Sequence, residues 1–223
     1  MVARVQINKS DLRLEALPSA TRKAFLYCSN LDLFQKNDWY LAGGTALTLQ
    51  MGHRKSVDLD FFTTKNKVNE LEVETTLQQT GRWQTTYREA GTIYGLIDGA
   101  KISLITYPFF VPKQKKLSFG TLDILQSADV AVMKVIAISQ RGRKRDFFDL
   151  YWYCKNTEPL IDVIHRVGKQ YAGQAENMNH ILKSFVYFDD AEEDPDPKIY
   201  FQATWRQVKT FFRTEAVRLA KIY

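Results

Sequence analysis

The sequence predicts an α+β protein: a mixed β-sheet core flanked by helices, followed by a C-terminal helical half. Two observations carry this. Short apolar runs with strand periodicity, punctuated by Gly and Asp-Gly, crowd between about 38 and 125. From 127 onward the strand patterns vanish and apolar residues recur at helical spacing. The chain has 223 residues, 45% of them apolar, enough for one large domain or a domain with a lobe. The division expected is 1–125 for the core with its N-terminal helices and 126–223 for the helical region.

The stretch from about 11 to 36 reads as two short helices broken around Leu17 to Ser19, where Pro18 breaks and Ser19 caps. WYLAGG, from Trp39, is a short strand ending at Gly43 and Gly44, and TALTLQMG is a helix starting near Thr45 and stopped at Gly52. SVDLDFF alternates, with Val57, Leu59 and Phe61 on one face and Ser56, Asp58, Asp60 and Phe62 on the other. Residues 65–80 read as a polar helix with Leu71, Val73 and Leu77 as its apolar positions and Gly81 as its C-cap. WQTTYREA, TIYGLI and KISLITYPFF follow as strands, the last two joined by an Asp98-Gly99 hairpin turn. SADVAVMKVIAIS, with Ser127 as N-cap, then RDFFDLYWYCK and EPLIDVIHRVGKQYA read as helices. The last segment is an amphipathic helix with Trp205, Val208, Phe212, Leu219 and Ile222 among its apolar positions.

The first residues lack the apolar core and cleavage site of a signal peptide, and no apolar run approaches a membrane span of about 18 residues, so no membrane partner and a cytoplasmic location are expected. Cys28 and Cys154 have neither disulfide-framework nor zinc-site spacing. No serine sits in a G-x-S-x-G frame, which leaves hydrolase chemistry without support. The net charge of +6 permits an anionic partner. Basic clusters occur at Lys113, Lys115 and Lys116, at Arg141 to Arg145, and along the last helix. Opposite in sign is DDAEEDPDP, residues 189–197, which reads as a flexible acidic loop. His53, beside Arg54, is placed to touch phosphate but reads first as a solvated loop histidine. Tyr94, Tyr107 and Phe109 are aromatic residues able either to stack a base or to join the core.

One constellation carries chemistry. A period-two strand puts Asp58 and Asp60 on one face with Cα atoms about 6.5–7 Å apart, within reach of shared divalent ions. Their mutual repulsion is relieved if Mg²⁺ or Mn²⁺, hard cations that prefer oxygen ligands, sits between them and also holds a nucleotide's phosphates. Gly43 and Gly44 let backbone N–H groups at a helix start approach an anion unobstructed. The order strand, Gly pair, helix, His53-Arg54-Lys55, then Ser56-x-Asp58-x-Asp60 is far more specific than any of its parts.

GGTAL, then RKSVDLDFF, then MKVIAISQRGRKRDFFDLYW resembles the DNA polymerase β-like nucleotidyltransferase superfamily, and within it the AbiEii/AbiGii-type nucleotidyltransferase toxins of bacterial toxin–antitoxin systems. The resemblance runs from about Trp39 to Tyr153. It implies a nucleotidyltransferase-type fold and a metal-dependent transfer of a nucleotide from a nucleoside triphosphate to an acceptor hydroxyl. The acceptor it implies is RNA such as a tRNA 3′ end, and the partner a cognate antitoxin. Carried over residue by residue, it makes Asp58 and Asp60 the metal-binding acids and Gly43, Gly44 and Ser56 triphosphate contacts, with Thr45 and Arg54 beside them. Lys134 and Asp146 become an active-site pair supplied by the C-terminal region. Lys134 interrupts an apolar helix, so its ammonium must snorkel out or meet a buried anion. Arg141, seven residues on, shares its face, and the two would line the phosphate path. Asp149 shares a helix face with Asp146; alternatively both acids pair with Arg143 and Arg145 at a helix start.

The sequence departs from the superfamily pattern at one place. A third acid on a later strand is expected, and Ser103 in KISLITY stands there. This motivates a second hypothesis, a nucleotide- or RNA-binding pseudoenzyme. A third, a glycosyltransferase with a D-x-D metal site, leaves the Gly pair and the Lys134–Asp146 segment unexplained.

Overall fold

The computed structural model describes residues 4–171 and 177–223; Met1 to Ala3, and Ala172 at the end of one predicted helix, lie outside them. The described strands are β1 (Arg4–Gln6), β2 (Tyr40–Leu41), β3 (Leu59–Thr63), β4 (Trp83–Glu89), β5 (Thr92–Ile97), β6 (Ala100–Thr106), β7 (Lys116–Phe119) and β8 (Leu122–Ile124). The helices are α1 (Ser19–Cys28), α2 (Asp32–Lys36), α3 (Gly43–Met51), α4 (Glu70–Gln78), α5 (Ser127–Arg141), α6 (Lys144–Asn156), α7 (Leu160–Gln170), α8 (Met178–Ser184), α9 (Asp189–Glu192) and α10 (Trp205–Leu219). The strands form one eight-stranded sheet in the order β1-β7-β8-β2-β3-β6-β5-β4. It is mixed. β3 runs parallel to β6 and antiparallel to β2, and β4, β5 and β6 form an antiparallel meander. The sheet core with flanking helices and a helical C-terminal half matches the expected class.

Several elements differ from expectation in ways that have local causes. Asp58 lies just outside β3, which starts at Leu59, so only Asp60 of the two acids is fixed by the sheet. Gly43 and Gly44 form the first turn of α3 instead of the end of a strand, and Gly43 takes a positive φ of 66° there. The polar helix begins only at Glu70, where the Asn69 side chain accepts from the Glu72 N–H and supplies the cap. Gln126, in extended conformation, holds the N-cap position of α5 without a side-chain cap, and Ser127 is the first helical residue. Ile222 lies beyond α10 and is exposed. β1, β7 and β8 carried no strand signal: each has four residues or fewer, and β7 begins inside the Lys113 to Lys116 cluster.

The acidic stretch is also corrected. Residues 189–192 are helical, and the following acids hold the start of α6: Arg143 donates to Asp194 at 2.7 Å and the Lys144 ammonium to Asp196 at 3.1 Å. Two members of the basic cluster are thus paired with acids of this stretch. Lys116 is likewise committed, lying 3.4 Å from Asp123 and over the Tyr40 ring.

α5 is the central helix, with Val130, Val132, Val135 and Ile138 buried in the core. Gly142, in the left-handed region at φ 53°, ends it and turns the chain directly into α6. That tight connection returns Asp146 and Asp149 to Lys134. No helix among the described residues is long and apolar enough to cross a membrane.

Candidate active site

β3, β6 and β5 present one face to a cleft of about 800 Å³, closed on the other side by α3 and α5. Gly43, Gly44, Thr45, Arg54, Ser56, Asp58, Asp60, Lys134 and Arg141 all line it. Asp146 lies behind them, fully buried. Sequence positions nearly a hundred residues apart are therefore gathered at one place.

On the sheet side, Asp60 faces the cleft because its neighbours Leu59 and Phe61 point into the core. Its register partner is Ser103 on β6, whose hydroxyl donates to Asp60 Oδ1 at 2.9 Å. Burial raises the Asp60 carboxyl above its ordinary range; the Ser103 hydrogen bond works the other way, and the Asp58 charge adds to the rise. A Cβ on Gly43 would lie 3.3 Å from Asp60 Oδ2 on a backbone already at positive φ. Asp58 is met from α6 by Arg145 at 3.4 Å. The Thr45 hydroxyl is 2.8 Å from Ser56 Oγ and donates to the Asp58 carbonyl, tying the segment before β3 to the first turn of α3.

On the helical side is a buried ionic cluster. Arg54 is pinned as a fork on Asp149, with Nε to Oδ1 at 2.5 Å and Nη2 to Oδ2 at 2.9 Å. His53 Nε2 lies 2.7 Å from the same Oδ1. The Lys134 ammonium sits between Asp146 at 2.5 Å and Asp149 at 2.6 Å, and Arg141 Nε donates to Asp146 Oδ2 at 3.0 Å. Burial drives the Asp149 carboxyl up, yet Arg54 and Lys134 more than offset it and hold it well below the usual carboxylate range. Asp146 is lowered too, Lys134 and Arg141 overcoming its desolvation. Burial lowers the His53 imidazole, and its Asp149 contact offsets this only in part.

These contacts revise the sequence expectations. His53 is a buried partner of Asp149, not a solvated loop residue. The alternative pairing of Asp146 and Asp149 with Arg143 and Arg145 does not occur: Arg143 pairs with Asp194 and Arg145 with Asp58. Lys134 meets a buried anion instead of snorkelling, and the anion is a pair of aspartates of this chain. Lys134 and Arg141 do share a side of α5, both reaching Asp146. The Arg54–Asp149 fork has no sequence signal beyond the place of Asp149, three residues from Asp146 on an apolar helix. Nothing local marks Arg145 as a cleft residue, whereas the alternation of KISLITY places Lys101 on the face of Ser103. Among the described residues no three His, Cys, Asp or Glu side chains converge as a metal-binding group.

The chain matches the family model described as nucleotidyl transferase AbiEii toxin, type IV toxin–antitoxin system, over residues 24–94 and 110–218. The unmatched interval, 95–109, contains β6 and Ser103. The chain is 36% identical over 181 residues to an uncharacterized protein of Aquifex aeolicus (strain VF5), a match covering 79% of this chain and 85% of that one. Among solved structures it is similar to MenT4, a nucleotidyltransferase toxin from Mycobacterium tuberculosis H37Rv. That likeness has a TM-score of 0.53 and 16% identity, over 87% of this chain and 84% of that one. A candidate nucleotidyltransferase from H. pylori is similar at a TM-score of 0.50 and 15% identity, over 97% and 99% of the two chains. At such identities the structural likeness concerns the fold, whereas the family match spans most of the sequence. The chain belongs to the AbiEii family of nucleotidyltransferase toxins.

Proposed function

We propose that the cleft transfers a nucleotide from a nucleoside triphosphate to an acceptor hydroxyl, with RNA such as a tRNA 3′ end as the acceptor. The observation that carries the reading is the meeting of Asp58 and Asp60 with the Gly43-Gly44 turn of α3 in one cleft. The acceptor oxygen attacks the α-phosphorus, the bond to the β-phosphate oxygen breaks, and pyrophosphate leaves.

The donor set fits a hard divalent cation, Mg²⁺ or Mn²⁺: both carboxylates line the cleft, the Asp58 charge is felt at Asp60, and burial makes a lone Asp60 charge costly. When bound there, such an ion lowers the acceptor hydroxyl's pKa and neutralises charge on the triphosphate. Asp58 and Asp60 hold it. The N–H groups of the first turn of α3 receive phosphate oxygens, helped by the positive end of the helix dipole and by glycines that keep the approach open. Arg145, half-exposed and only 3.4 Å from Asp58, turns from that carboxylate to phosphate. Lys134 and Arg141 act from the cleft wall, with Asp146 and Asp149 fixing the Lys134 ammonium. A cognate antitoxin protein is the partner that family membership supports.

Labelled transfer tests the reading. The protein is incubated with each α-³²P-labelled nucleoside triphosphate, Mg²⁺ and total RNA; label should enter RNA, and Asp58→Ala should abolish it. Absence of label from every combination sinks the proposal.

The Ser103 hydroxyl on Asp60 favours a second reading, a nucleotide- or RNA-binding pseudoenzyme. Magnesium-dependent nucleotide binding without any transfer would select it.

A further inference from the structure

One row of side chains crosses four strands in register. Asp60 on β3 pairs with Ser103 on β6, Ser103 with Tyr94 on β5, and Tyr94 with Tyr87 on β4. Directly opposed residues project from the same face, so Tyr94 and Tyr87 stand on the cleft side. At a strand spacing of about 4.8 Å they lie roughly 10 and 14 Å from the Asp60 backbone along the sheet. That is the reach of a nucleotide or a dinucleotide.

We propose that Tyr94 and Tyr87 form a nucleobase-stacking platform for the nucleotidyl-transfer site, an inference that rests on the proposed activity. The two rings are stacked on one another, with centroids 5.7 Å apart and planes at 28°. Both remain exposed, Tyr94 at 40% and Tyr87 at 46%, whereas Ile93 and Ile97 on the opposite face of β5 are buried. Exposed aromatic rings on the face of a sheet that also carries the reacting groups contribute no core. The Tyr87 hydroxyl is occupied by Glu89, which leaves ring area as what it offers a ligand. A bulge between Thr85 and Tyr87 displaces Thr86 into the cleft lining and re-aims this end of β4. Lys101, on the same face of β6 as Ser103, also lines the cleft; among the described residues it has no ion-pair partner and is available to a phosphate. Aromatic rings beside a free cation are the elements by which proteins hold unpaired bases without demanding one sequence.

The base comes from either of two sources, the incoming nucleoside triphosphate or the acceptor strand. Titration calorimetry on the full chain with Mg²⁺ separates them. The probes are nonhydrolysable analogues of ATP, GTP, CTP and UTP, a single-stranded oligoadenylate of about 12 nucleotides, and inorganic tripolyphosphate, which has no base. Tyr94→Ala should weaken an analogue or the oligonucleotide by about fivefold or more, leaving tripolyphosphate within about twofold, and Tyr94→Phe should restore binding. Loss confined to the analogues assigns the platform to the triphosphate's base, and loss confined to the oligonucleotide assigns it to the acceptor. Tyr87→Ala, on the edge strand, gives a second readout if Tyr94→Ala lowers the melting temperature. The platform is refuted if neither alanine variant alters binding, if tripolyphosphate is weakened equally, or if Tyr94→Phe fails to rescue. Tyr94-dependent binding by a wild-type protein that transfers no label would retain the platform and reject the transferase.

Discussion

Arg54 and Asp149, ninety-five positions apart, meet as a buried two-point fork between the segment before β3 and the helix α6. The pair joins the sheet half of the cleft to the helical half. Because Asp149 also faces His53 and Lys134, its removal leaves Arg54 and His53 without their anion and Lys134 with Asp146 alone. Asp149→Ala should therefore lose about 3–5 kcal/mol in urea unfolding. A loss below about 1 kcal/mol would show that the fork is not a structural link.

The same cluster sets the response to acid. The Asp149 carboxyl is held far below its unfolded value, so its contribution is complete above the unfolded carboxylate pKa and is lost as pH falls through the folded one. His53 acts earlier. Its folded pKa is lowered, so the unfolded state binds the proton first and stability declines as pH falls from about 6.5 toward the folded value. Thermal melts should show a falling Tm over that window, flattened in His53→Gln. An unchanged slope in the variant would remove His53 from the acid response.

Gly44→Ala should be damaging although the residue is helical and alanine favours helices. The new Cβ would fall 2.0 Å from Arg54 Nη2, and Arg54 cannot swing away without releasing Asp149. A loss of about 2–4 kcal/mol is expected, with Arg54→Lys partly relieving the clash in the double variant. Simple additivity of the two changes would contradict this coupling.

The Asp60 charge works against folding. Its carboxyl is raised in the fold, so in metal-free buffer at neutral pH its charge opposes folding, and the penalty disappears as pH falls through the raised pKa. Asp60→Asn should raise the Tm with chelator present and abolish transfer. An Asn variant less stable than wild type would mean that the charge is already compensated within the chain.

Ser103→Asp asks what the missing third acid does. Facing Asp60 at a hydrogen-bond register, the new carboxylate replaces a donor with a like charge and should lower the Tm in chelator. Added Mn²⁺ should then raise the Tm more than in wild type, since a ligand that binds only the fold stabilises it. No difference in the Mn²⁺ response would place Ser103 outside the metal's reach.

Much of this was legible in the sequence because it follows from period and spacing. The alternation of SVDLDFF put Asp60 on the face opposite the core residues Leu59 and Phe61, and an isolated lysine in VAVMKVIAIS required either escape or a partner. What stayed hidden were relationships without a local signal. His53 and Asp149 are distant in sequence, and nothing near His53 shows that it is buried. The acidic run at 189–196 looked like solvated charge because composition reveals sign but not which basic residues lie opposite. β7 and β8 are too short for periodicity to accumulate, and they are recognisable only once paired.

The segment carrying His53 and Arg54 is held from outside by residues near the end of the chain: Arg54 bridges Ile199, Lys55 N–H donates to the Lys198 carbonyl at 2.8 Å, and Tyr200 N–H to the His53 carbonyl at 2.8 Å. Synthesis delivers these clamping residues late, long after the carboxylates and glycines they steady. A ribosome-bound chain that has emerged only through α7 holds the parts of the cleft but not the strap that fixes its Arg54 wall. A chain cut short before residue 198 thus carries the motif without the strap that fixes its Arg54 wall.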